Sequence, residues 1–302
     1  MYICFRNGRL GNQLFIYASL LSIKKNNEKI ILVGFSELKD AISEDSTNNT
    51  YFFLNSIIFK YLKYPYLKKI NFDYFLQIIS KFLLYKRIFF DELRETYQNN
   101  KLTIKKYKKK INYYDNLFIV NKSFFQSEQC IKNNNLKQFN LKKKYYDKSK
   151  NIFDKINNKN PKIFIHIRKK DYELINHNQR INVPIDWYKK CINIMKKKYK
   201  NPFFIFCTDD KKIYKYFKNL DKCFFSNEDY LTDLAIIAQC NGGILSPSSF
   251  SWWGAWLSNR NTNSKIHQKI FLAPEYWMGF NKNEWFPKNI KTSYIDYIKV
   301  DS

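Results

Sequence analysis

Glycine is scarce in this chain. Its 302 residues hold seven, where average usage of about 7% would supply roughly twenty. That excludes flexible Gly-rich linkers and makes the surviving glycines informative. Five of them (Gly8, Gly11, Gly242, Gly243 and Gly254) fall in two short stretches, as expected where backbone geometry or close approach demands glycine. Arginine is nearly as sparse, with seven among 53 basic residues. The formal charge of +27 is therefore a lysine charge. The guanidinium forks that nucleic-acid readers lean on are mostly missing, which argues against nucleic acid as the partner. Anionic phosphates or an anionic membrane face still suit such a surface. The six cysteines contain no C-x-x-C pair. They read as reduced core thiols of a cytoplasmic protein, not as a disulfide framework or a zinc site. No uncharged apolar run reaches the ~18 residues of a membrane span; the nearest, 72–90, is broken by Asp73, Lys81, Lys86 and Arg87. Arg6 and Arg9 interrupt the start, so no signal peptide is expected.

What is present is enough for a core: 45% of residues are hydrophobic. The length suits one large or two medium domains. A Lys/Asn-rich stretch, 142–159, precedes Pro161 and puts the expected boundary near residue 158, between domains 1–158 and 159–302. The first domain opens as a βαβ unit: strand Tyr2–Phe5, a Gly-bearing turn, helix Leu14–Lys24 and strand Ile30–Val33. Its glycines are three apart, so the turn is not a dinucleotide fingerprint. Asn12 reads either as a cap for that helix or, with Arg9, as a group aimed into a cleft. The stretch 35–115 reads as several helices with one exposed basic face.

The second domain alternates strands with helices. Lys162–Arg168 has a two-residue period, with His166 and Arg168 sharing a face. Phe203–Cys207 is a buried strand, followed by Thr208-Asp-Asp210 and a helix from Lys211 to Lys218. Cys223–Ser226 is a strand. Tyr230–Cys240 is a helix that Gly242 ends. Gly243–Ser246 and Ile270–Ala273 are further strands. Such alternation implies a parallel sheet, whose ligands sit at the carboxyl ends of the strands. His166–Arg168, Asp209–Asp210 and Ser246–Ser251 all occupy such ends.

The chemistry there suits an anion. Ser248, Ser249 and Ser251 are cap residue types at the start of a tryptophan-rich helix, whose free N–H groups and positive dipole end favour phosphate. The Arg168 guanidinium matches a diphosphate. Asp209 and Asp210 are adjacent and point opposite ways. Either one accepts from a base while the other caps the next helix, or both are caps. No D-x-D carboxylate pair suggests a metal.

The stretches Gly8-Arg-Leu-Gly-Asn-Gln-Leu-Phe-Ile-Tyr-Ala18, Phe125-Gln-Ser-Glu128, His166-Ile-Arg-Lys-Lys-Asp-Tyr172, Thr208-Asp-Asp210, Ser248-Ser-Phe-Ser-Trp-Trp-Gly-Ala-Trp-Leu257 and Ala273-Pro-Glu-Tyr-Trp277 closely resemble the motifs of the bacterial α-1,2-fucosyltransferases, glycosyltransferase family 11. The resemblance implies an α/β GT-B-like fold, two Rossmann-like domains facing across a cleft, with 1–158 on the acceptor side and 159–302 binding the GDP-sugar. It implies GDP-β-L-fucose as donor, no divalent metal, and inverting transfer to the 2-hydroxyl of a galactose-type acceptor. A galactose-containing or lipid-linked glycan, with peripheral contact at the cytoplasmic face of the inner membrane, would be the partner. Carried over, Arg168 neutralises the leaving phosphate, His166 and Asp210 help hold GDP, and Ser248, Ser249 and Ser251 bind phosphate. Arg9 and Asn12 face the donor from the other domain. The family usually shows a second Arg and then a Gly after Arg168; here Lys169 and Lys170 stand there, keeping charge but losing the fork. Asp171, Glu173 and His177 are candidates for taking the acceptor proton, as is a donor phosphate oxygen; Asp171 reads either as the catalytic group or as a brace for its loop. Another GDP-fucose transferase, α-1,6 or O-linked, shares much of this pattern. A basic nucleic-acid-binding protein is the competing class, though no known module is visible.

Overall fold

A computed structural model describes residues 1–47, 49–53, 91–98, 101–107, 117–120, 123–131, 136, 139–157, 159–170, 181–261 and 269–301. The chain forms two compact units, Met1–Lys142 and Lys143–Ser302. The Lys/Asn-rich stretch expected to run up to a boundary near 158 begins the second unit instead. Its residues Lys143–Ile156 form a helix with Ser149 and Ile152 buried, and this helix packs on Tyr230–Gln239. Its lysines are the solvated face of an amphipathic helix, with Lys148 paired to Glu228 at 2.7 Å and Asp229 at 3.1 Å.

The first unit carries β1 (Tyr2–Phe5), β2 (Ile30–Val33), β3 (Thr50–Phe53), β4 (Asp91–Gln98), β5 (Lys101–Tyr107) and β6 (Phe118–Val120) in the order β3-β2-β1-β6-β4-β5. All pairs are parallel except β4–β5. Helix α1 (Leu10–Ile23) follows β1 and is buried along almost its whole length, as a helix covered on both sides must be apolar all round. It starts at Leu10, earlier than the expected Leu14, with Arg9 at the N-cap position and no side-chain cap. Asn12 is therefore not a cap. A short helix α2 (Ser36–Ala41) follows β2.

The expected run of helices over 35–115 is overturned at Thr50–Phe53, which is β3, and at Asp91–Gln98 and Lys101–Tyr107, which form an antiparallel pair, β4 with β5. Thr96 and Thr103 hydroxyls meet at 3.0 Å across the ladder, and the Arg94 guanidinium lies 4.0 Å from the Tyr107 ring. Such cross-strand pairs stabilise a sheet by roughly 0.2–1 kcal/mol each. Residues 48, 54–90, 99–100 and 108–115 of that stretch lie outside the described residues.

The second unit has β7 (Lys162–Ile167), β8 (Phe203–Thr208), β9 (Cys223–Phe225), β10 (Gly242–Ile244), β11 (Ile270–Pro274) and β12 (Asp296–Ile298). All pair in parallel, in the order β12-β11-β10-β7-β8-β9. Counted from β7, this is the 3-2-1-4-5-6 order of the Rossmann fold, with its switch point between β7 and β10. The helices are α3 (Lys143–Ile156), α4 (Ile185–Lys198), α5 (Tyr230–Gln239) and α6 (Ser249–Arg260); Lys211–Phe217 is a 3-10 segment, not the expected α-helix. Gly242, expected to end α5, opens β10, and Cys240 is the cap. Ile163, Ile165 and Ile167 share a core with Trp187, Phe204 and Phe206, each burial worth roughly 1.5–3 kcal/mol. Helices α5 and α6 approach so closely that a Cβ on Gly254 would lie 2.2 Å from Ile237 Cγ2. All six thiols are unpaired and five are buried. No helix among the described residues is long and apolar enough to cross a membrane.

Candidate active site

The switch point of the second unit is closed by a side-chain pair. His166, next to last in β7, places Nδ1 2.7 Å from the Ser246 hydroxyl beyond β10. The Ser246 N–H donates to the His166 carbonyl at 3.0 Å. Phe250 packs on the imidazole at 5.2 Å between centroids. Burial, and then the Arg168 charge, push the His166 pKa down to about 3. The ring is neutral at physiological pH, and it fixes the start of the serine loop.

That loop leads into the start of α6, and a helix N-terminus is suited to an anion. Ser248 is the N-cap of α6, its hydroxyl accepting the Phe250 N–H at 3.3 Å. Ser249 opens the helix and is half-buried. The first-turn N–H groups have no intrahelical acceptor. Ser251, expected among the phosphate ligands, is fully buried. Its hydroxyl donates to the Ser246 and Ser248 carbonyls, both at 2.9 Å, so it braces the loop from behind.

Arg168 stands at the end of β7, half-buried, with Nε 3.2 Å from Asp209 Oδ2. The other Asp209 oxygen accepts the Lys169 N–H at 2.8 Å. Asp209 thus holds both the guanidinium and the backbone that carries it. Asp210 accepts the Lys212 N–H at 3.1 Å as a cap, with Lys169 Nζ at 3.8 Å. Thr208 ties this corner to β7 through the Ile167 carbonyl at 2.7 Å. Asp171, Glu173 and His177 lie outside the described residues.

Sequence reasoning missed Asp233. It lies in the first turn of α5, buried, accepting from the Ser226 hydroxyl at 2.5 Å. Burial raises its pKa to about 7, against the pull of hydrogen bonds from Ser226 and Cys207. Its only sequence signal was an acid at a helix start, a position that most often only complements the dipole.

The first unit has its own site candidates at the end of β1. Gly8 adopts φ +73°, and a Cβ there would lie 2.4 Å from Asn12 Nδ2. That glycine leaves room for the Asn12 amide, whose Oδ1 accepts from Gln126 Nε2 at 2.7 Å. Buried Gln13 secures the turn through the Gly8 carbonyl at 3.1 Å and the Leu38 N–H at 3.1 Å. The Ser123–Ser127 loop is held from β4, where Glu95 accepts the Phe125 N–H at 2.8 Å. Arg9 is exposed. The expected site residues thus gather within each unit: Arg168, His166 and the serines in the second, with Asp210 turned to a cap, and Arg9 and Asn12 in the first.

Fold and site together define a Rossmann-class α/β unit with a serine-rich, capped helix start at its switch point. The chain belongs to glycosyl transferase family 11, whose model matches residues 1–289. It is 28% identical over 132 residues to the O-antigen biosynthesis glycosyltransferase WbnK of Escherichia coli, covering 40% of each chain. It is also 28% identical over 123 residues to an α-1,2-colitosyltransferase of Escherichia coli, covering 37% of this chain and 40% of that one. These matches therefore span well under half the length of either relative. Among solved structures, POFUT1 in complex with GDP-fucose aligns with a TM-score of 0.53 at 11% identity, over 89% of this chain and 97% of that one. At that identity the likeness speaks to fold: an α/β architecture of the GT-B type, built from two Rossmann-like units.

Proposed function

We propose that this chain is an inverting glycosyltransferase that moves L-fucose from GDP-β-L-fucose to the 2-hydroxyl of a galactose-type acceptor in a surface glycan. The observation that carries this is the pairing, on one sheet edge, of the Ser246–Ser251 turn with an arginine braced by Asp209. Family membership supports the same reading. In this mechanism the acceptor oxygen attacks the fucose anomeric carbon as its bond to the β-phosphate breaks, and GDP departs with the electron pair. Arg168, Ser248, Ser249 and the N-terminal N–H groups of α6 neutralise the growing charge, with no step assigned to a metal. His166 acts by positioning the serine turn. Base recognition falls to Asp233, because Asp210 serves as a cap; a carboxylate matches the adjacent N–H donors of guanine. Arg9 and Asn12 contribute to donor binding, and Asp171 takes the acceptor proton. The enzyme works in the cytoplasm, at the inner face of the membrane.

The colitosyltransferase relative favours one second reading, the same linkage with colitose as the transferred sugar. Calorimetry with GDP, GDP-fucose, GDP-mannose and UDP-galactose, with and without chelator, tests the donor. Binding of GDP and GDP-fucose that survives chelator is the expected result, and loss of binding with chelator sinks the metal-free mechanism. Product NMR then tests the linkage: an anomeric signal other than α-1,2 overturns that part.

A further inference from the structure

The carboxyl edge of the second sheet changes chemistry along its length. The β8–β9 end carries acidic side chains, Asp209 paired with Arg168 and, beside β9, buried Asp233. The β7–β10 centre presents Arg168 and the serine turn. The β11–β12 end presents aromatic rings. Directly after β11 come Glu275 and Tyr276, both half-buried. Tyr276 and Trp277 adopt φ 62° and 57°, a left-handed conformation that bulky residues rarely take and that a fold retains where a side chain must be aimed. The turn brings Trp285 to 5.8 Å from Tyr276 and leaves Phe286 60% exposed.

This aromatic shelf is bolted to the start of α6. Trp252, in the first turn of α6, donates to the Thr292 hydroxyl at 2.8 Å. The Thr292 N–H donates to the Tyr297 hydroxyl at 2.9 Å. The Tyr297 ring meets Trp285 at 4.8 Å, edge to face. A half-exposed tryptophan is therefore held at a fixed place relative to the phosphate site, which surface packing alone does not require. Glu275 stands where the two zones meet, and its carboxylate makes no hydrogen bond or ion pair among the described residues.

The geometry points to an acceptor-sugar subsite on Tyr276, Trp285 and Phe286, with Glu275 accepting from sugar hydroxyls. This rests on the donor reading above. A nucleotide sugar laid along this edge runs base, diphosphate, sugar, matching acidic side chains, serine turn, rings. The acceptor lies beyond the transferred sugar, at the ring end. The apolar C–H face of a pyranoside stacks on an aromatic ring, and a carboxylate takes its equatorial hydroxyls. Phe286 is an exposed ring beside two half-buried ones, and sugar and ligand sites combine such apolar lining with a few polar groups.

The test measures transfer from GDP-fucose to methyl β-galactoside, methyl β-glucoside and methyl α-mannoside, alongside calorimetric GDP affinity. Trp285→Ala is expected to raise the acceptor KM at least tenfold and leave the GDP Kd within twofold, with Trp285→Phe restoring most of the loss. Phe286→Ala, at an exposed ring, is expected to raise the KM about threefold without disturbing the fold. A KM unchanged in both alanine variants overturns the subsite, and so does a GDP Kd that moves with the KM. A wild-type enzyme that binds GDP and hydrolyses GDP-fucose but uses none of the glycosides overturns the subsite and spares the donor reading. A wild-type enzyme that binds no GDP removes both.

Discussion

Asp209 grips Arg168 from two directions, through Nε at 3.2 Å and through the neighbouring Lys169 N–H at 2.8 Å. One carboxylate thus sets both the guanidinium and its backbone. Arg168→Ala is expected to cut kcat at least a hundredfold, the usual cost of losing a charge-stabilising donor. Asp209→Asn keeps the shape and loses the charge, and a drop of about tenfold in kcat with little change in donor KM is expected. Steady-state kinetics with GDP-fucose decide it; an Asp209→Asn enzyme at wild-type rate would remove the positioning role.

Two serines three residues apart should fail differently. Ser248→Ala removes an N-cap, costing about 1 kcal/mol, and is expected to weaken GDP binding about fivefold. Ser251→Ala removes a buried hydroxyl that serves two carbonyls, costing about 1–2 kcal/mol, with a smaller effect on GDP. Urea unfolding paired with calorimetry separates them. Equal losses of GDP affinity would make Ser251 a ligand after all.

Gly8→Ala should disturb the first unit locally. The position has φ +73° and no room for a Cβ beside Asn12, so a loss of about 1–2 kcal/mol is expected. The displaced Asn12 amide also loses its bond to Gln126. Denaturant titration and turnover measured on the same sample check both parts. An alanine variant with wild-type stability and rate would contradict this account of the turn.

Asp233 and His166 impose opposite pH dependences on stability. The Asp233 pKa is raised by burial to about 7, so the folded state holds a proton that the unfolded chain has released. Its contribution is full at acid pH and is lost as pH rises from roughly 4 to 7. The His166 pKa is lowered by burial to about 3. Its contribution is full above roughly 6.5 and is lost as pH falls toward 3. Asp233→Asn should remove the first slope, leaving stability that climbs with pH between 4 and 6.5. It should also raise stability at pH 8 by on the order of 2 kcal/mol while weakening GDP binding. A flat profile for the variant would show that His166 does not titrate as described.

Much of the second unit was legible because its signals are local. The two-residue period of β7, the serines ahead of a tryptophan-rich helix and the clustered glycines each declare themselves within a dozen residues. What stayed hidden depends on distant partners. The His166–Ser246 contact joins residues 80 positions apart, and nothing near Asp233 announces the Ser226 hydroxyl or its burial. The β4–β5 pair was missed for another reason. Its charged residues sit on a half-exposed ladder, so the lysines and glutamates that suggest a helix face are equally at home on an edge strand.

Helices α5 and α6 are fastened at the ends away from the site. The Ser258 hydroxyl donates to the Cys240 carbonyl at 2.7 Å, and Lys269 reaches Cys240 O at 3.2 Å and Ser258 O at 2.6 Å. Gly254 presses against Ile237 midway. The opposite ends carry Asp233 and the serine turn. The pair therefore behaves as a two-pronged fork with a fused handle. GDP bound at its tips as proposed should protect amides in the handle from solvent exchange together, as one cooperative unit.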